Sequence, residues 1–259
     1  MYSIKFDQQQ FIAILTLNRP KVFNSFDREM ALSMQRHLDD CEANPKIRAI
    51  LITGEGKAFS AGQDLQEVTD PERNLGFERI LMEHYNPIIQ RIRRIEKPVI
   101  AAVNGVAAGA AANMALACDV VIASESASFL QAFSKIGLVP DSGGTYTLPR
   151  LIGFQKASAL MMLGDKISAA EAERMGMVYK VFPAETFMEE AMKIASKLSK
   201  MPTKGLGLAK RALNQAMSNS LEEQLRLETN LQVQAGATED YTEGVNAFLE
   251  KRAPDFQGK

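Results

Sequence analysis

Four short β-rich runs mark the first half of the chain: FIAILTLN (11–18), IRAILITG (47–54), PVIAAVNG (98–105) and DVVIAS (119–124). Each predicts a strand, and the segments between them carry helical spacing. Asp27 stands where an N-cap belongs for a helix through REMALSMQRHLDDCEA. A second helix is predicted across FERILMEHYNPIIQRIRRI, with Pro87 arguing against an unbroken run. Alternation of strand and helix gives an α/β class.

From about Ser168 the strand signal nearly vanishes. SAAEAERMG, AETFMEEAMKIASKLSKM, KGLGLAKRALNQAM, SLEEQLRLETNLQVQA and DYTEGVNAFLEKR all read as helices. The chain therefore divides into a core over 1–197 and a helical region over 198–259. Within SLEEQLRLETNLQVQA, Leu221, Leu225, Leu227, Leu231 and Val233 make more than one apolar face. Self-association and packing on the chain's own domain explain that pattern equally well. No repeat of fixed period or low-complexity tract is present.

Composition narrows the classes. A chain of 259 residues with 46% hydrophobic content can bury a large core, as one domain or a domain with an appendage. Its 30 Lys+Arg against 31 Asp+Glu leave a charge of −1 with no basic block, which argues against a nucleic-acid partner. The opening MYSIKFDQQQ has neither a basic nor an apolar leader region, so a cytoplasmic location is expected. The apolar stretch Val99 to Ser124 is interrupted by Asn104, Gly105, Gly109, Asn113 and Asp119 and reads as buried strand, turn and helix, not a membrane span. Cys41 and Cys118 are expected to be reduced thiols, and His37 and His84 lack ligand spacing, so no metal is expected.

Two turns rich in small residues carry candidate chemistry. KAFSAGQDLQE (57–67) and NGVAAGAAANMALA (104–117) each follow a predicted strand. Small residues let the backbone approach a ligand, and the first N–H groups of a helix lack internal partners. Two such turns can each give one N–H to a developing oxyanion. Alone, each turn has an ordinary packing explanation, and neither is a dinucleotide or triphosphate fingerprint. In GLVPDSGGTY (137–146), Asp141 reads locally as a helix N-cap.

Taken together, LTLNRPKVFNSFDREM, KAFSAGQDL, KPVIAAVNGVAAGAAANMALACDVVIAS, GLVPDSGGT, GDKISAAEAERMGMV and VNAFLEKRAPDF resemble the crotonase (enoyl-CoA hydratase/isomerase) superfamily. The match runs in the family's order from about Phe11 to the C-terminus. It implies a spiral core of ββα turns followed by a helical trimerisation region, with hexamers built as two trimers. It also implies an acyl-CoA thioester whose carbonyl oxygen is bound by the main-chain N–H groups of Gln63 and Ala110. Coenzyme A enters as part of the substrate, with no separate cofactor, and its contacts would come from Lys21, Val22, Ala61, Gly62, Gln63, Asp64 and Leu65, with Lys251 on the last helix.

Departures from the family pattern set the expected reaction. Hydratases of the family position water with two glutamates, and the matching positions here are Asn113 and Phe133. Without that pair, water addition loses its acid and base, and Phe133 dries its side of the cleft. Isomerases of the family keep a carboxylate at the position of Asp141, which makes it the expected proton carrier, its apolar neighbours raising its pKa. Asn113 is either a polar substrate contact or a group satisfied inside a helix. Leu75, Phe77, Ile80, Leu81 and Tyr85 would border the acyl group. The expectation is an acyl-CoA isomerase that opens a ring epoxide or moves a double bond. A hydratase-like enzyme and a non-catalytic thioester-binding protein are the alternatives.

Overall fold

The computed structural model describes residues 2–259. Its strands are β1 (Ile4–Gln9), β2 (Ile12–Leu17), β3 (Ala49–Gly54), β4 (Ala58–Ser60), β5 (Val99–Val103), β6 (Val106–Ala108), β7 (Val120–Ser124), β8 (Ser128–Leu130), β9 (Lys166–Ser168) and β10 (Lys180–Phe182). One sheet has the order β1-β2-β3-β5-β7-β10 and the other β4-β6-β8-β9. The pairs β3–β4, β5–β6 and β7–β8 each place a longer strand in the first sheet and a three-residue strand in the second. A helical stretch follows each pair, which makes the expected spiral of ββα turns.

The helices are α1 (Arg28–Ala43), α2 (Leu65–Thr69), α3 (Phe77–Arg79), α4 (Asn86–Arg94), α5 (Ala110–Leu116), α6 (Gly144–Ile152), α7 (Phe154–Leu163), α8 (Ala169–Arg174), α9 (Phe187–Ser199), α10 (Thr203–Ala216), α11 (Leu221–Gly236) and α12 (Glu239–Glu250). The central strands are parallel and covered on both faces, which is why they read as continuous apolar runs. Ile50, Ile52, Ala101, Val103 and Val121 face the main core. Leu51, Ile100, Ala102 and Ile122 face Phe187, Ala191 and Ala195 of α9.

Helix α1 begins as predicted: Asp27 Oδ1 accepts from the main-chain N–H of Met30 at 2.9 Å. Such a cap is worth about 1 kcal/mol. Met30, Met34, Leu38 and Cys41 then bury one stripe.

Pro87 does not break the second predicted helix. Between α3 and α4 the chain passes through a π-helical segment, Ile80–Tyr85, and Asn86 N–H donates to Leu81 O, five residues back. Proline offers no N–H to the carbonyl four residues earlier. That carbonyl, of Glu83, instead accepts from Gln35 Nε2 of α1 at 2.7 Å. A widened turn and a side-chain donor thus replace the missing bond.

The C-terminal helices are held to the sheet by Arg48, a buried residue at the head of β3. Its guanidinium donates to Thr203 Oγ1, Met201 O and Phe256 O at 2.8, 2.7 and 2.8 Å. Among the described residues, no helix is long and apolar enough to cross a membrane.

Candidate active site

Two turns meet where the second sheet gives way to helices. Gly62 has φ +90°, and a Cβ there would lie 2.8 Å from Ala108 O and 3.7 Å from Ala110 N. Only glycine fits both that conformation and that approach. Gly62 O accepts from Phe26 N–H at 2.7 Å. In a trans peptide the C=O and the next N–H point in opposite directions, so Gln63 N–H faces away from Phe26. Gly109 O accepts from Asn113 N–H within the first turn of α5. By the same planarity, Ala110 N–H points outward from the start of that helix. The structure therefore brings together the two turns that the sequence proposed as N–H donors.

Asp141 lies in the loop before α6, partly buried. Burial pushes its carboxyl above the ordinary aspartate value, against the smaller opposite pull of the Ser142 hydroxyl. That hydroxyl donates to Asp141 Oδ1 at 2.8 Å. The local reading of Asp141 as a side-chain cap is not what forms. Gly143, with φ +73°, occupies the N-cap position without a side-chain bond. It is the main-chain carbonyl of Asp141 that accepts, from Gly144 N–H at 2.9 Å. The carboxylate is left out of helix capping.

Asn113 is 0% exposed. Its Nδ2 donates to Asp141 O at 2.8 Å, and its Oδ1 accepts from Gln131 Nε2 at 2.7 Å. An inaccessible side chain bonded on both sides is a positioning residue. Of the two readings of Asn113, the satisfied group is the one that forms, which corrects its expected place among the catalytic residues. Asn113 lies one helical turn beyond Ala110, so it ties the Asp141 loop to the N-terminal end of α5. Gln131, the other half of this arrangement, gave no sequence signal.

Phe133 sits where a Cβ on Gly109 would be 3.8 Å from its Cζ, and it is buried. It forms an apolar wall beside the Ala110 turn. Of the expected acyl-pocket residues, Leu75 and Leu81 are partly buried against the core, and Phe77 is exposed. Ile80 and Tyr85 are fully inside the core and do not offer open surface. Helix α4 contributes a residue the sequence did not suggest: Ile89 Cγ2 lies 3.7 Å from the Cβ position of Gly143.

Of the residues expected to contact coenzyme A, Lys21 and Val22 sit on the 3₁₀ turn Pro20–Val22, with Lys21 exposed. Ala61 N–H donates to Phe23 O at 2.9 Å, which joins that turn to the 61–65 loop. Ala61 and Leu65 are exposed there. Asp64 is buried; it caps α2 by accepting from Gln66 N–H at 3.0 Å and pairs with Arg19 at 2.9 Å. Its side chain thus fixes the loop and is not presented to a ligand. Lys251 forms the C-cap of α12, with a left-handed backbone, and α12 packs on α11.

Both thiols are buried, with burial pushing each up to about 12. Among the described residues, no group of three His, Cys, Asp or Glu side chains is arranged for a metal ion.

A two-sheet ββα spiral with facing N–H turns is the crotonase type of α/β fold. A family model described as enoyl-CoA hydratase/isomerase matches residues 7–259, and the chain belongs to that family. It is accordingly an enzyme acting on acyl-CoA. Over 252 residues it is 47% identical to the 1,2-epoxyphenylacetyl-CoA isomerase of Escherichia coli strain K12, covering 96% of this chain and 95% of that one. It is 42% identical over 258 residues to a probable enoyl-CoA hydratase of Rhodobacter capsulatus, covering 100% and 99%. The crystal structure of an enoyl-CoA hydratase from Polaromonas sp. JS666 superposes with a TM-score of 0.91 at 37% identity, covering 98% and 99%.

Proposed function

We propose that the protein is an acyl-CoA isomerase in which Asp141 carries the proton and the N–H groups of Gln63 and Ala110 stabilise the thioester oxyanion. Its leading reaction is the rearrangement of the ring epoxide of phenylacetyl-CoA to the oxepin thioester, with Δ3,Δ2-enoyl-CoA isomerisation as a second. The observation that carries this reading is the pairing of a desolvated Asp141 with a buried Asn113 and an apolar Phe133 at the positions where hydratases hold glutamates.

Asp141, as carboxylate, takes a proton from the carbon next to the thioester carbonyl. The electron pair moves into the carbonyl, and the two N–H groups meet the charge that develops on oxygen. The resulting carboxylic acid returns the proton at a more distant carbon, either along the chain or on the expanding ring. The rearrangement is redox-neutral and ends with Asp141 ionised again. Phe133 keeps water from the intermediate. The likeness to the Escherichia coli isomerase supports the ring epoxide as substrate, whereas the relatives named hydratases favour water addition. Exposed apolar side chains on α11 and α12 support assembly into homotrimers or hexamers.

The test is Asp141→Asn, assayed on a 3-enoyl-CoA, on the epoxide and on a 2-enoyl-CoA for hydration. Isomerase turnover is expected to fall by roughly 10²–10⁴-fold, with the melting temperature not lowered, because the side chain caps no helix. Full isomerase activity in the variant defeats the mechanism. Hydration at wild-type rate in both proteins favours the hydratase alternative.

A further inference from the structure

The Gln63 side chain joins a chain of polar contacts whose other members, Tyr85 and Glu67, are buried. Tyr85, only 1% exposed, donates its hydroxyl to Gln63 Oε1 at 2.8 Å. Gln63 Nε2 donates to Glu67 Oε2 at 2.9 Å. Glu67 is itself buried, and its Oε1 accepts from Arg28 N–H, the first of α1, at 2.9 Å. Gln63 is thus gripped from the π-helical segment on one side and from the start of α1 on the other.

The main chain around Gln63 is fixed by Phe26. Gly62 O accepts from Phe26 N–H, and Asp64 N–H donates to Phe26 O at 2.8 Å. The Phe26 ring in turn lies 6.1 Å from that of Tyr85. With backbone and side chain both anchored, the peptide between Gly62 and Gln63 has little freedom to rotate. An N–H that must meet an oxyanion without reorganising needs this kind of support.

We propose that Tyr85 and Glu67 are positioning residues for the thioester oxyanion, holding Gln63 from behind so that its main-chain N–H stays directed into the cleft. The inference rests on the oxyanion role given to Gln63 above. The bonds are mutually exclusive in direction: Tyr85 is a donor to the amide oxygen, and Glu67 is an acceptor from the amide nitrogen. Together they also fix which way the Gln63 amide faces. Burial, followed by the nearby charge of Asp141, raises the Tyr85 hydroxyl well above its ordinary range, so it remains a donor at all working pH values. The π-helical widening before Pro87 places Tyr85 at this point.

The experiment uses 3-phenylacryloyl-CoA, a conjugated thioester whose absorbance moves to longer wavelength when its carbonyl is polarised. Wild-type protein is expected to shift the bound thioester's band. Tyr85→Phe should lose most of that shift and lower kcat roughly tenfold, with KM little changed. Glu67→Gln leaves one side-chain oxygen for two donors, Gln63 Nε2 and Arg28 N–H, so whichever way the amide faces one link of the chain is broken and the same losses should follow, with the acid limb set by Asp141 left in place. In a Gln63→Leu background, Tyr85→Phe should have little further effect on the shift, because the group it acts through is gone.

If Tyr85→Phe fails to fold, Glu67→Gln decides on the same readings. A full shift and full kcat in either folded single variant overturn the inference, as does an equal loss from Tyr85→Phe with and without Gln63. A wild-type protein that binds the thioester without a shift overturns it too. A shift that depends on Tyr85 and Glu67 in a protein with no isomerase turnover upholds it while defeating the isomerase reading.

Discussion

At Asp141 the surroundings matter more than the residue type. Its carboxyl is pushed above the ordinary aspartate value of 3.8 by burial, so it holds its proton in the folded chain at pH values where the unfolded chain has released it. For a base this means that kcat/KM should rise with pH through the raised value, and the pH profile of Asp141→Asn should lack that limb. The sign for stability is opposite. Protonation favours the folded state, so the contribution is fully present below the unfolded value and is lost as pH rises through the folded one. Melting temperatures across that window should slope less in Asp141→Asn than in wild type; an unaltered slope refutes a buried titrating carboxyl. That Asp141 is the group to test was legible from the motif around it. That it caps nothing was not, because Gly143 takes the capping position by adopting a positive φ that any Gly-Gly pair permits. Asn113 was legible only as a choice, since the partners that settle it lie 18 and 28 residues away in sequence.

Among the elements, the long strands and α1 were plain because their patterns are set by burial on both faces or along one stripe. The short strands of the second sheet were not read at all. Three residues cannot display alternation. Yet those short strands deliver the site, since β4 ends at the Gln63 turn and β6 at the Ala110 turn. The closeness of the two turns gives a direct prediction. Gly62→Ala adds a Cβ 2.8 Å from Ala108 O at φ +90° and must push them apart. It should lower kcat/KM on the order of tenfold or more, measured by steady-state kinetics. Wild-type kinetics in that variant would mean that the separation of the turns is not what sets the rate.

Over the whole molecule, the helical end of the chain was foreseen as helices, but its attachment was not. The ambiguity over the leucines of α11 is partly resolved: Leu231 is buried, whereas Leu221, Leu225 and Val233 are exposed. On α12, Phe248 is 83% exposed with Leu249 beside it. This exposed apolar face fits the proposed assembly. If the proposed assembly uses this face, replacing Phe248 and Leu249 together by Glu should shift the sedimenting species toward monomer without changing the circular dichroism of the fold; unchanged sedimentation refutes that use. Arg48 bears on how this region comes loose. Its three acceptors belong to residues 201, 203 and 256, so lifting α10 and the tail from the sheet breaks three charge-assisted hydrogen bonds at once. Amide hydrogens in α10 and in β3 should therefore exchange with solvent through one shared opening event, and the C-terminal helices and the sheet behave as a single cooperative unit.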